Sequence, residues 1–71
     1  MERYANRSGN SSITYYQIED DRIIIWFKGG KSYSYSYQKA GRNHVETMKS
    51  LARNGSGLSA YITRNVRFDY D

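Results

Sequence analysis

The sequence predicts a single α+β domain: a three-stranded antiparallel meander with one main helix and a second short helix packed on one face, closed by a short C-terminal strand. Three features predict it. Ile, Tyr, Trp and Phe crowd into residues 13–37, where Glu19-Asp20-Asp21 and Gly29-Gly30 cut them into three strand-length pieces. Beyond residue 42 the apolar spacing changes from alternation to the three-and-four of a helix. A chain of 71 residues also has room for one core only, and buries about 60% of the surface that its unfolded form exposes.

Taken in order, residues 1–11 are polar and carry Ser8, Gly9, Asn10 and Ser11 in a row, so they read as a flexible lead-in to a domain over 12–71. The hairpin around Gly29-Gly30 admits two registers. A two-residue turn sets Trp26 opposite Tyr33 and Ile24 opposite Tyr35, which gathers Trp, three Tyr and cations on one face as a stacking platform. A three-residue loop, Lys28-Gly29-Gly30, sets Ile25 opposite Tyr33 and Ile23 opposite Tyr35 and puts the large side chains on one side. Burial favours the second, because each Tyr or Ile body removed from water contributes about 1.5–3 kcal/mol. In that register Ile24 and Trp26 point away from the core, and Trp26 is either free to stack or covered by Tyr15 or the terminal strand.

The main helix is expected over Asn43 to Asn54, with Asn43 and Glu46 as a capping-box variant and Gly55 as the stop. Val45, Met48 and Ala52 recur on one side, and Arg42, Glu46, Lys49 and Arg53 on the other. Leu58, Tyr61 and Ile62 suggest the second helix. Val66, Phe68 and Tyr70 alternate as a terminal strand does.

Composition narrows the function. Without Cys there is no disulfide framework and no thiolate metal site, and the expected setting is cytoplasmic. No apolar run approaches the roughly 20 residues of a membrane span, and none of the signal-peptide kind follows Met1. Eight Tyr and one Trp exclude disorder along the whole length. The net charge of +4 sits mostly in residues 38–57, which carry four basic residues against one acidic. Lys39, Arg42, Lys49 and Arg53 are therefore the expected phosphate contacts, with Trp26, Lys28 and Arg22 adding stacking and charge. The alternative is a solvated helix face on which Glu46 pairs with Arg42 and Lys49.

Catalytic and metal sites are not expected. His44 is the sole His and has no nucleophile and carboxylate at a useful spacing. Glu19-Asp20-Asp21 lacks the alternation of a calcium loop and reads as a solvated turn. Asn54-Gly55-Ser56-Gly57 offers backbone N–H groups to a phosphate but has no Walker lysine, so it reads as a linker between helices.

Tyr16, then Ile23, Ile25 and Phe27, then Gly29-Gly30, then Tyr33-Ser34-Tyr35, a helix and a late Gly and Ile together resemble the KTSC domain. That small domain is named for its place at the C-terminus of some lysyl-tRNA synthetases. The resemblance runs from about Ser11 to Ile62. Where the family carries an aliphatic-Pro step into the helix, this chain has Gln38-Lys39 and no Pro at all. The resemblance implies a non-catalytic domain of unestablished role, without cofactor, with RNA or another nucleic acid as first partner. The runner-up is a protein partner or homodimer using the sheet edge or the Ile24/Trp26 patch.

Overall fold

Turns at Asp20-Asp21 and Lys28-Gly29-Gly30 fold the aromatic stretch back on itself twice. In the computed structural model, which describes residues 1–71, they produce an antiparallel sheet with helices on one face. The strands are β1 (Glu2–Arg3), β2 (Ile13–Glu19), β3 (Arg22–Phe27) and β4 (Ser32–Ser36), in the order β1-β2-β3-β4. The class is the expected α+β, but the sheet has four strands, and the fourth comes from the N-terminus instead of the tail.

The lead-in over residues 1–11, expected to be flexible, is thus part of the fold. Glu2 and Arg3 pair with Tyr16 and Tyr15, and Tyr4 donates its N–H to Thr14 at 2.9 Å. Tyr4 is only 4% exposed, and the burial of one large ring offsets the ordering of a polar segment. The loop that follows closes on itself, Asn6 donating to the Ser11 carbonyl and accepting from the Ser11 N–H.

Between β3 and β4 the three-residue loop is formed: Ile25 pairs with Tyr33 and Ile23 with Tyr35, and Phe27 N–H donates to Lys31 at 2.7 Å. Ile23, Ile25 and Tyr35 are buried together, as the burial argument requires. Burial, followed by the neighbouring Tyr33 and Tyr70 phenols, pushes the Tyr35 hydroxyl up to about 12. A bulge in β2 acts in the same direction. Ile13 pairs with Phe27 but Tyr15 with Trp26, so Thr14 is the extra residue, and its hydroxyl donates to the Trp26 carbonyl. Ile13 and Tyr16, an odd number of positions apart, therefore both enter the core while Tyr15 faces outward.

The helices are α1 (Tyr37–Ala40), α2 (Arg42–Asn54) and α3 (Leu58–Tyr61), which runs on into a π-helical turn over Ile62–Val66. Ser36 caps α1, its hydroxyl accepting from Lys39 N–H. α2 is not entered through an Asn43 capping box. The chain passes from α1 through Gly41 (φ 101°), whose carbonyl already accepts from Val45 N–H, and Glu46 turns away to other partners. Gly55 ends α2 in the left-handed conformation, as expected.

The tail is not a strand. Leu58, Ile62 and Val66 are all buried, and their spacing by four keeps the chain helical to Val66. Beyond it Phe68 is 73% exposed, while the Tyr70 ring lies 4.6 Å from that of Tyr33. Asp71 N–H donates to Ser34, the only strand-like bond of the tail. Val45, Met48, Ala52, Leu58, Ile62 and Val66 cover the Ile23/Ile25/Tyr35 face and complete the core.

Candidate nucleic-acid interface

Because side chains alternate along a strand, the helices leave one whole face of the sheet uncovered. Arg3, Tyr15, Trp26 and Ser32 occupy successive partner positions across its four strands. Adjacent strands lie about 4.8 Å apart, so the Tyr15 and Trp26 side chains stand next to one another. Tyr15 is 41% exposed and Trp26 half-buried. Lys28, two residues beyond Trp26 and just past the end of β3, is exposed. Between β1 and β2 a cleft of about 420 Å³ is lined by Arg3, Asn6, Thr14, Tyr15 and Lys28 among others, with no carboxylate in its wall.

The opposite end of this face is acidic. Arg22 Nε lies 3.4 Å from Glu19 and 3.7 Å from Asp21, and Gln17 donates to Glu19 at 2.9 Å. Arg22 is four positions from Trp26, about 13 Å along the strand. Its charge is taken up by the turn carboxylates, which removes it from the expected stacking group. The face is therefore polarised, cationic and aromatic at one end and acidic at the other.

The helix-side cations are distributed differently from the expected stripe. Lys49 is only 5% exposed: its ammonium pairs with Glu46 at 2.9 Å, donates to the Asp20 carbonyl at 3.0 Å and sits over the Tyr37 ring. It ties α2 to the β2–β3 turn, so it is not free to contact a phosphate. Its long aliphatic stem lets it lie along the core while the head finds partners, which a polar-stripe reading misses. Burial works against the Lys49 charge, but the hydrogen bond and charge of Glu46 outweigh it and hold the ammonium above its ordinary value. The Tyr37 hydroxyl donates to Glu46 at 2.5 Å, and that bond, then the one from Lys49, holds the Glu46 carboxyl below the usual range. Arg42 makes no ion pair with Glu46 and lies over the Tyr37 ring at 5.5 Å instead.

Lys39, Arg42 and Arg53 remain exposed. Arg42 and Arg53 are eleven residues apart on α2, about 16 Å. They lie on the helical side of the sheet, whereas Trp26 and Lys28 belong to the open side, so the seven residues expected from the sequence do not form one surface. As site residues the sequence reading missed Arg3 and Tyr15; Tyr15 was expected only as a cover for Trp26, and it does stand beside that ring. Tyr15 carries a legible signal, since alternation from Tyr16 sets it outward. Arg3 carries none, because a two-residue strand in a polar segment has no period. His44 is engaged inside the fold, its Nδ1 2.6 Å from the Tyr61 hydroxyl.

No helix is long and apolar enough to cross a membrane. No protein-family model, curated protein or solved structure matches the chain.

Proposed function

We propose that this chain is a small non-catalytic binding domain, acting in the cytoplasm, whose open sheet face takes single-stranded nucleic acid, RNA first. The observation that carries the reading is the adjacency of Tyr15 and Trp26 beside Arg3 and Lys28, in a region without carboxylates. Two neighbouring rings accept successive unstacked bases at about 1–3 kcal/mol each, whatever the sequence. The two cations flank them where the phosphates run, and the net charge of +4 favours the encounter. The resemblance to KTSC domains points to the same partner. The exposed Lys39, Arg42 and Arg53 on the far side contribute long-range attraction.

The test is fluorescence anisotropy of a labelled single-stranded oligoribonucleotide at low and at physiological salt. Trp26→Ala weakens binding by roughly 5- to 150-fold, the value of one stacked base. Replacing Arg3 and Lys28 by Gln reduces the salt slope by about 1.4, or 0.7 per phosphate. Flat titrations at low salt, or a Trp26→Ala variant with unchanged affinity, refute the proposal.

A second reading has its own support. Half-buried Ile24 adjoins Trp26 on the open face, giving an aliphatic and aromatic patch suited to a protein partner or a second copy. The β4 edge is the poorer dock, since Asp71 already bonds to Ser34. This reading predicts association that survives high salt and shows in sedimentation at two protein concentrations.

A further inference from the structure

A second cavity, of about 480 Å³, lies between the N-terminal loop and the helical segment from Gly57 to Arg64 and shares Tyr4 with the β1–β2 cleft. Tyr4 and Ser11 belong to its wall, and both are more than nine-tenths buried. Each hydroxyl accepts a backbone N–H, Tyr4 from Leu58 at 3.4 Å and Ser11 from Ile13 at 3.1 Å, and neither donates to any protein acceptor. A hydroxyl has one proton to donate, and a buried donor is costly to leave unmatched. Ser59 and Ser8 add further hydroxyls, that of Thr63 is already donated to the Ser59 carbonyl, Arg64 adds a guanidinium that forms no ion pair, and no carboxylate lines the cavity. The wall therefore offers donors and one positive charge to something rich in acceptors.

We propose that this cavity binds a small phosphate monoester, of the sugar-phosphate class, through Arg64 and the hydroxyls of Tyr4, Ser11 and Ser59. Three phosphate oxygens match three hydroxyl donors and the guanidinium fork. The volume exceeds that of a bare anion and falls within the ordinary range of small-molecule sites. Carbon makes up most of the exposed wall, through Tyr4, Ala60 and the stems of the polar residues, so the C–H face of a sugar packs there while its phosphate meets the donors. The linker 54–57 brings the start of α3 to this wall without itself being a phosphate loop.

The experiment is an amide-shift NMR titration of the whole labelled chain with ribose 5-phosphate, with ribose, and with inorganic phosphate. Ribose 5-phosphate gives saturable shifts at Ser11, Leu58, Ser59 and Arg64, and ribose gives none. Arg64→Gln, on an exposed side chain that leaves the fold intact, weakens binding at least about tenfold, the loss of one charge-assisted contact. Tyr4→Phe weakens it as well, and a melting curve separates that effect from loss of structure. Absence of saturable shifts overturns the proposal. So do shifts from inorganic phosphate as large as those from the ester, or an Arg64→Gln variant that binds as before, since either marks an adventitious ion only. Affinity for single-stranded RNA is unchanged in Arg64→Gln, so the two sites stand or fall separately.

Discussion

Gly55→Ala tests whether the N-terminal segment belongs to the fold. Gly55 has φ +78°, where an alanine is disfavoured by roughly 1–2 kcal/mol. A Cβ built there meets Ala5 Cβ at 2.5 Å, inside any tolerated contact, and overpacking of that kind costs about 1–3 kcal/mol. The expected loss is therefore about 2–5 kcal/mol, a large part of the stability of about 4–11 kcal/mol ordinary for a chain of this length. Urea unfolding followed by Trp26 fluorescence reads it as a lowered midpoint at unchanged slope. Gly29→Ala is the control. Its φ of +93° carries a conformational penalty, but nothing lies within 4 Å of the added Cβ. The second partner is Ala5→Gly, because the next atom of Ala5 is 3.5 Å away and its removal relieves the clash. The double variant Ala5→Gly/Gly55→Ala should recover about 1–3 kcal/mol as a coupling energy. Gly55→Ala no worse than Gly29→Ala, or no rescue by Ala5→Gly, would mean that residues 1–7 do not pack on the end of α2.

Titration of Tyr35 limits stability on the alkaline side. Its phenol is raised from the ordinary 10.0 to about 12, so the stabilisation is full below pH 10 and lost as pH rises to 12, on the order of 2 kcal/mol. Denaturation series across that range should show a shallower decline for Tyr35→Phe than for the parent chain, and parallel declines would disprove the assignment. Glu46 acts on the acid side: its carboxyl lies below the ordinary 4.5, so its contribution is present above that pH and fades as pH falls. Glu46→Gln should flatten the acid limb of the stability curve, and an unaltered limb would contradict the Tyr37–Glu46–Lys49 cluster. Lys49→Ala should lower the unfolding free energy by about 1–3 kcal/mol while leaving the salt slope of RNA binding as it was. A reduced slope would return Lys49 to the phosphate contacts.

How much was legible follows the range over which each signal acts. The Gly55 stop, the burial of Val45, Met48 and Ala52, and the pairing of Ile25 with Tyr33 are local patterns under a strong burial constraint, and they read correctly. The end of the chain misled because Val66, Phe68 and Tyr70 alternate while Leu58, Ile62 and Val66 keep helical spacing, and only packing decides between the two periods. The Asn43 cap failed for a related reason: the chain leaves α1 and enters α2 through Gly41, so Asn43 lies inside the first turn and not at its head.

For the candidate sites the division is sharper. Periodicity and side-chain volume were enough to say that a bulged hairpin buries Tyr35 with the isoleucines, packs Tyr33 against them and turns Trp26 outward, because a one-residue slip reverses a strand. Whether a cation is spent or free was not decidable from the chain alone. Lys49, Arg22 and Arg3 are similar in sequence, yet one is buried against Glu46, one is held by a turn carboxylate and one stands beside an exposed ring. Those outcomes depend on partners 29 residues away in the case of Lys49 and Asp20, and on a β1–β2 pairing with no local signature. Charge and hydrogen bonding act through space, so the chain must close on itself before the identity of each partner is set.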